Sequence, residues 1–435
     1  MITIENSTLV FENNTLVKCK GNAENIIISE GVKRIKERAF SECNNLVSII
    51  IPESVIEIGE QAFGDWNTLT NIFVDPNNPV YASKDGVLFD KEFSKIICYP
   101  PARKGVYHIP DSVTEISEWA FWLCTRLTGI TIPKSVTKIG EDAFCYCIGL
   151  TEIKLPVNLT EIGKKAFQSC ENITKIMIPD SVTQIGEDAF CNCKNITKLF
   201  VDPNNTIYAE KDGVLFNKDF TKLIYCPAGK QGEYTIPDGI TEIGNNAFRG
   251  CISLTAIYIP DSVISIGNSA FMNCTHLTKI TIPNGVKTIG NNAFWNCKRL
   301  ECFSVAPNND VFAVKNGVLF NKDFSKIICY PSAIDQNTYT VPEGVKEIGA
   351  GTFTFCDCLT EIVIPDGVTG IGQGAFRHCK NLKSIRIPDS VTEIKKNAFW
   401  DDKKLIIRAS AHSYTAQHME KYYRGEHDPR FEEIE

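Results

Sequence analysis

Residues 173–195 read ITKIMIPDSVTQIGEDAFCNCKN, and this stretch is one period of a 23-residue repeat that recurs along most of the chain. A phenylalanine marks each copy, leucine or isoleucine follows it by six residues, and alanine precedes it everywhere except at Thr352. Successive phenylalanines are 23, 58 or, once, 59 residues apart. So strict a register predicts a solenoid in which each copy is one coil stacked on its neighbours. The marker residues are Phe40, Phe63, Phe121, Phe144, Phe167, Phe190, Phe248, Phe271, Phe294, Phe353, Phe376 and Phe399.

Within one period, the spacing predicts two short strands and a single helical turn. Residues 173–178 alternate as a strand with one face inward, and residues 179–181, Pro-Asp-Ser, predict a turn. Residues 182–185 predict a second extended piece, Gly186 a bend, and residues 187–190 a helical turn with acids at its N-terminal end. Burying about eight side chains per coil contributes on the order of 15 kcal/mol. Ordering the backbone costs roughly 1–2 kcal/mol per residue, so a coil needs its neighbours.

Three similar segments, residues 75–109, 202–236 and 306–341, interrupt the period. Each contains Asp-Gly or Asn-Gly, an apolar triplet, a polar turn and a second apolar run, which is the pattern of a β-hairpin. Because each insert is 12 or 13 residues longer than a coil, we expect one atypical coil plus a projecting hairpin. We also predict a capping hairpin at residues 1–25, the solenoid at 26–405, and a C-terminal cap at 406–435 with a helix at 410–424.

The pattern L-T-x-I-x-I-P-D-S-V-T-x-I-G-x-x-A-F-x-x-C, seen at residues 127–147 and 254–274, resembles the BspA-type leucine-rich repeat. The resemblance covers about residues 26–405, including the DGVLFNKD…YP insert. It implies an α/β repeat solenoid, a right-handed curved leucine-rich-repeat coil with short strands, single helical turns and three hairpins. It also implies a place on microbial or protist cell surfaces and adhesion to host proteins.

The composition and charge of the chain argue against several classes of function. The net charge is −7 with acids and bases interspersed, which argues against a nucleic-acid or anionic-membrane surface. No apolar run is long enough to insert into a membrane. The first residues, MITIENSTLVFENN, lack the pattern of a signal peptide, so a cytoplasmic location stays open beside the surface location that the resemblance implies. We expect a monomer.

Cysteine stands three residues after the phenylalanine in ten copies, and Trp66 and Asp402 take that position in the other two. Because these cysteines share one position of the repeat, we predict one buried column of small apolar thiols rather than disulfides or metal sites. Free thiols favour a reducing compartment. The Cys-x-Cys pairs at 145/147, 191/193 and 356/358 lack further ligands at metal spacing. Because Cys147 and Cys193 belong to the column, we expect Cys145 and Cys191 to face outward. The column comprises Cys43, Cys124, Cys147, Cys170, Cys193, Cys251, Cys274, Cys297, Cys356 and Cys379.

No other set of residues in the sequence indicates a catalytic or metal-binding site. An acid follows the first strand in eight copies, and turn formation explains it more simply than stacked calcium sites do. The six histidines occupy unrelated phases, so no catalytic set can be nominated, and we expect neither enzymatic activity, nor a cofactor, nor a metal. A solenoid hydrolase would need a carboxylate cluster that breaks the repeat. The acids are Glu53, Asp111, Asp180, Asp238, Asp261, Glu343, Asp366 and Asp389.

The outward face of the first strand is the candidate binding surface. The position four residues after each Leu/Ile is not set by the repeat, yet it is rich in large apolar groups, which suggests a partner. The alternative is that the hairpins cover it. We expect a non-enzymatic protein- or glycan-binding scaffold that acts in adhesion or in host or partner interaction through the sheet face and the hairpins. The alternative is an intracellular structural or interaction scaffold. The positions are Ile50, Phe73, Thr131, Lys154, Met177, Phe200, Tyr258, Thr281, Ser304, Val363 and Arg386.

Overall fold

The structure is a computed structural model that describes residues 2–4, 7–63, 68–400, 404–422 and 429–434. It divides into two compact units, Met1–Lys218 with Pro227–Gly229, and Asp219–Cys226 with Lys230–Glu435. Each unit is a stack of coils. Trp66 and Asp402, the two substitutes in the cysteine column, lie outside the described residues.

The first strand of a coil, here called a face strand, pairs in parallel with the face strand of a neighbouring coil. Lys175–Ile178 pairs with Lys198–Val201 at a constant separation of 23 residues. In the first unit the face strands are Asn25–Ile27, Ser48–Ile51, Asn71–Val74, Gly105–His108, Leu127–Thr131, Lys175–Ile178 and Lys198–Val201. In the second they are Gly232–Thr235, Leu254–Tyr258, Lys279–Ile282, Cys302–Val305, Thr338–Thr340, Glu361–Val363, Ser384–Arg386, Ile406–Ser410 and Arg430–Ile434.

A second, two-residue strand follows the turn in each regular coil and also pairs in parallel, as Glu161–Ile162 does with Gln184–Ile185. These strands are Arg34–Ile35, Glu57–Ile58, Glu115–Ile116, Lys138–Ile139, Glu161–Ile162 and Gln184–Ile185 in the first unit. They are Glu242–Ile243, Ser265–Ile266, Thr288–Ile289, Glu347–Ile348, Gly370–Ile371 and Glu393–Ile394 in the second. Gly186 directly follows such a strand, and a Cβ there would lie 2.3 Å from the backbone nitrogen of Lys164. Glycine therefore permits close contact between coils.

The expected helical turn is wrong. Asp188 and Asn192, on either side of Phe190, have φ values of 58° and 61°, which an α-helix does not tolerate. The segment consists of tight turns, and its carbonyls accept hydrogen bonds from the preceding coil, as the carbonyl of Ala189 does from the amide of Phe167 at 2.8 Å. The coils are therefore built from strands and turns, and Tyr414–Tyr422 is the one α-helix in the described part of the chain.

The core of each unit is a column of aromatic rings surrounded by aliphatic side chains. Phe144 and Phe167 stack with ring centroids 5.3 Å apart and planes at 3°, and Phe167 and Phe190 follow at 5.7 Å and 7°. In the second unit Phe271 and Phe294 stack at 5.4 Å and 1°. Offset stacking adds to the burial energy of such rings. Of the eight positions expected inward in residues 173–193, seven are buried, and Ile185 is half-buried.

The inserts contain antiparallel pairs. In the first, Tyr81–Lys84 pairs with Val87–Asp90, and positive φ at Asp85 and Gly86 makes the two-residue turn that suits strand twist. Lys95–Cys98 then resumes parallel pairing with Glu115–Ile116. The corresponding strands are Tyr208–Lys211 and Val214–Asn217 in the first unit, and Lys222–Tyr225, Phe312–Lys315, Val318–Asn321 and Lys326–Cys329 in the second.

Both ends of the chain depart from the repeat. Ile2–Ile4, Ser7–Glu12 and Thr15–Gly21 form an antiparallel meander, which continues in parallel to Arg34–Ile35. The expectation that every column cysteine is a free thiol is wrong at this end, because Cys43 forms a disulfide with Cys19. The strand Glu42–Cys43 pairs alongside Lys20 and Gly21, which brings the two cysteines together.

At the other end, the helix Tyr414–Tyr422 is shorter than the predicted 410–424. The hydroxyl of Ser413 accepts a hydrogen bond from the amide of Ala416 at 3.2 Å, which caps its first turn. Residues 423–428, including the predicted stop at Gly425, lie outside the described residues. The strand Arg430–Ile434 was not predicted, and it pairs in parallel with Ile406–Ser410.

Candidate binding face

The face strands direct alternate side chains outward. Ile176 and Ile178 are fully buried, whereas Met177 between them is 54% exposed. Among the other predicted face positions, Ile50, Phe73, Phe200, Tyr258 and Val363 are 39–52% exposed, and Thr131, Lys154, Thr281 and Arg386 are also exposed, while Ser304 is half-buried. The hairpins therefore leave these side chains open to solvent.

In the first unit, register places apolar face residues side by side. Ile50 pairs with Phe73, and on its other side with Ile27, which is 61% exposed and was missed from the sequence. The repeat phase would have found it, because Ile27 lies 23 residues before Ile50. Met177 pairs with Phe200 in the same way, whereas Thr131 has the polar neighbour His108 at 3.0 Å.

In the second unit the face is more polar. Tyr258 donates a hydrogen bond to a carboxylate oxygen of Glu233 at 3.0 Å, and this bond is the main cause that raises the pKa of the phenol. Thr281 stands beside Ser304 with their hydroxyl oxygens 3.5 Å apart, and Val363 pairs with Arg386. On the face strands of this unit, the outward apolar side chains are therefore separated from one another by polar side chains.

The regular ladder is interrupted in the first unit. Residues 151–156, although in phase with the repeat, form no strand. A groove of about 540 Å³ lies there, with Ile153, Leu155 and Ile176 among its lining residues. Lys154, Met177 and Phe200 also line the groove, and all three side chains are exposed. The structure thus brings three of the predicted face residues together in one concave site.

Two lysines beside this groove carry like charges without a described ion pair, whereas in the like-charged register pair Arg386 and Arg408 the second arginine pairs with Glu432 at 2.7 Å. Lys175 and Lys198 are exposed register partners in adjacent strands. Where both register partners in the second strands are charged, by contrast, the charges are opposite, as in Lys138 with Glu161 at 3.2 Å. Lys326, in an insert strand, likewise pairs with Glu347 at 2.6 Å.

The column cysteines do not present a nucleophile. Cys170 donates its S–H to the carbonyl of Phe144 in the preceding coil at 3.1 Å. Burial raises the pKa of the Cys297 thiol to about 12. Cys145 and Cys191, expected to face outward, are buried, whereas Cys358 is exposed. Within the described ranges, no group of three or more His, Cys, Asp or Glu is placed to hold a metal ion. The described part of the chain also contains no helix of the length and apolarity that a membrane span requires.

Comparison with solved structures finds similarity to bacterial leucine-rich repeat proteins. One is a leucine-rich repeat protein from Eubacterium ventriosum, 21% identical, with 86% of this chain and 82% of that chain covered and a TM-score of 0.42. A leucine rich cell surface protein from Faecalibacterium prausnitzii is 22% identical, with 91% and 94% covered and a TM-score of 0.41. A leucine-rich repeat protein from Bacteroides ovatus is 20% identical over the whole of both chains, with a TM-score of 0.40. No curated protein sequence matches the chain.

The family comparison is decisive because it spans most of the sequence. Six copies of the model described as BspA type Leucine rich repeat region match residues 2–86, 106–212, 224–335 and 332–406. These ranges include every phenylalanine of the column and the third insert, whereas residues 87–105 and 213–223, within the first two inserts, lie outside them. The chain is therefore a member of the BspA-type leucine-rich repeat family.

Proposed function

We propose that this protein is a non-enzymatic scaffold that binds another protein through the outward side of its face strands. The observation that supports this most directly is the pair Met177 and Phe200, which stays 54% and 39% exposed at the edge of a groove. Exposed apolar side chains grouped in a concave surface are typical of partner-binding sites. Their chemistry favours a polypeptide over a glycan, because a methionine thioether and a phenyl ring bury apolar side chains well.

The test uses a phage-displayed library of random dodecapeptides selected on the immobilised full chain. Synthetic copies of the recovered peptides are then titrated by fluorescence anisotropy against wild type and the double variant Met177→Ser, Phe200→Ser. We expect the variant to weaken binding at least about tenfold, as removal of central apolar contacts does. Tyr258→Ser, added as a third substitution, should abolish any binding that involves the second unit.

The matched control is Tyr146→Ser with Ile148→Ser, two side chains 42% and 40% exposed on a turn segment. Both variants should unfold within a few degrees of wild type, because exposed side chains contribute little to stability. Equal losses of affinity in the face variant and the control would refute a role for this face. Staining of intact cells with an antibody then distinguishes an adhesin from an intracellular scaffold.

A further inference from the structure

We propose that the groove beside Met177 and Phe200 binds an extended acidic segment of a partner protein, in which a carboxylate and an apolar side chain lie two residues apart. This inference rests on the proposed function and specifies the chemistry of the partner. We call the site the lysine–apolar groove, and define it by Lys175, Lys198, Met177 and Phe200 with the lining residues 152–157.

The first argument is the like-charge pair. Lys175 and Lys198 are direct register partners, and like charges at such positions destabilise a sheet. Where this chain places charges at register positions in its second strands, it matches them, as in Arg34 with Glu57 at 2.6 Å. None of the described ion pairs includes Lys175 or Lys198. A carboxylate held above both ammonium groups would offset their repulsion and accept charge-assisted hydrogen bonds.

The second argument is the apolar half of the groove. Met177 and Phe200 are also register partners, and each follows its lysine by two residues. Val157, 62% exposed, lines the same groove. Methionine adapts its shape to a bound side chain. An apolar residue of the partner would therefore bury these exposed groups.

The third argument is spacing, which favours a polypeptide. Same-face residues of a strand are two residues, or about 6.6–6.8 Å, apart. An extended peptide that lies along the strands repeats this distance, so its carboxylate and its apolar side chain reach both halves at once. Asp180 and Asp202 line the groove near the C-terminal ends of the strands and would repel a carboxylate there, which orients the peptide with its acid toward the lysines. Glu152, also in the lining, is exposed and forms no described ion pair with either lysine.

The experiment reads the sequences of the dodecapeptides selected on the full chain and measures their affinity for Lys175→Glu. This substitution places a carboxylate opposite Lys198, so it should not lower the unfolding temperature. We expect selected peptides to be enriched in Asp or Glu two positions from Leu, Ile, Met or Phe. Their affinity should fall about tenfold on Lys175→Glu, and also when salt rises from about 0.1 M to about 1 M, where the Debye length shrinks from about 10 Å to about 3 Å.

The control Lys104→Glu makes the same change of charge at an exposed lysine outside the groove, and it should leave affinity unchanged. Peptides that lose affinity on Met177→Ser, Phe200→Ser but not on Lys175→Glu would overturn the acidic-segment inference and leave the proposed function standing. Peptides insensitive to all groove variants would overturn both. If a heparin hexasaccharide instead binds through the lysines without Met177 and Phe200, the polypeptide inference is wrong.

Discussion

The side-chain amide of Asn205 donates a hydrogen bond to the backbone carbonyl of Pro179, 26 residues earlier, at an N···O distance of 2.7 Å. It also donates to the carbonyl of Val182 at 3.0 Å, and its oxygen accepts from the amides of Ile207 and Tyr208. The residue is fully buried with every polar atom of its side chain bonded. The same bonds recur at Asn78 and Asn309. One asparagine thus fastens each insert to the coil before it.

Replacing Asn205 with alanine should lower the free energy of unfolding by about 2–4 kcal/mol, because two carbonyls each lose a donor and two amides lose their side-chain acceptor at a buried site. Urea unfolding followed by circular dichroism measures it. The neighbour Asn204 is exposed, so Asn204→Ala should change the free energy by less than about 0.5 kcal/mol. Similar effects of the two substitutions would contradict the role assigned to Asn205.

Truncating a side chain should destabilise the protein strongly in the phenylalanine column and only slightly on the binding face. Phe167 is fully buried between two stacked rings, so Phe167→Ala should cost about 3–5 kcal/mol of stability. Phe200→Ser, at an exposed position, should cost less than about 1 kcal/mol. Thermal unfolding of the two variants side by side checks this, and a large loss for Phe200→Ser would show that it serves the fold.

Gly186 should not accept a side chain. An alanine Cβ would meet the backbone of Lys164 at 2.3 Å and of Gly163 at 2.6 Å, so the coils would have to separate. We expect Gly186→Ala to destabilise by about 1–3 kcal/mol, in the range of overpacked cores. At Gly370 a Cβ would meet only the Glu347 side chain, at 3.6 Å, and Gly370→Ala should be tolerated. Urea midpoints of the pair decide the matter.

The buried cysteines of the column should react with thiol reagents more slowly than exposed cysteines do. Burial raises the pKa of the Cys98 and Cys297 thiols to about 12, and it also raises the pKa of Cys170 and Cys274. A raised pKa keeps a thiol protonated, and therefore unreactive, at all pH values well below it. At pH 8 iodoacetamide should label Cys358, which is exposed, before the column. Peptide mass spectrometry after brief labelling reports the order, and early labelling of Cys170 would be inconsistent with this packing.

The Cys19–Cys43 disulfide should stabilise the N-terminal meander. Its cysteines are 24 residues apart, and closing a loop of that length contributes about 3 kcal/mol in the chain-entropy view. Denatured protein without reductant should titrate sixteen thiols, since sixteen of the 18 cysteines are free. Cys43→Ser should speed amide exchange in residues 7–43, while residues 121–190 remain unchanged. A titration of eighteen thiols would show that the bond does not form.

Several features could be predicted from residues alone because they depend on local periodicity. The alternation of Lys175 to Ile178 predicts which side chains face inward, and Asp85-Gly86 predicts a two-residue turn. The turn around Phe190 could not be predicted in this way, since acids and alanine before a phenylalanine are equally typical of a helix. Asp188 and Asn192 are left-handed, and the carbonyls of Glu187 and Cys191 directly before them accept hydrogen bonds from the preceding coil. Those bonds exist only after stacking.

The candidate site shows the same division. The sequence by itself determined the repeat, the inward columns and the outward positions Met177 and Phe200, because a 23-residue period can be recognised from the order of the residues alone. Only the tertiary structure decided that residues 151–156 leave the ladder, that Lys175 faces Lys198, and that Cys19 reaches Cys43. Each of these features depends on which groups of neighbouring coils come into contact when paired strands stack about 4.8 Å apart. The spacing of residues along the sequence does not encode those contacts.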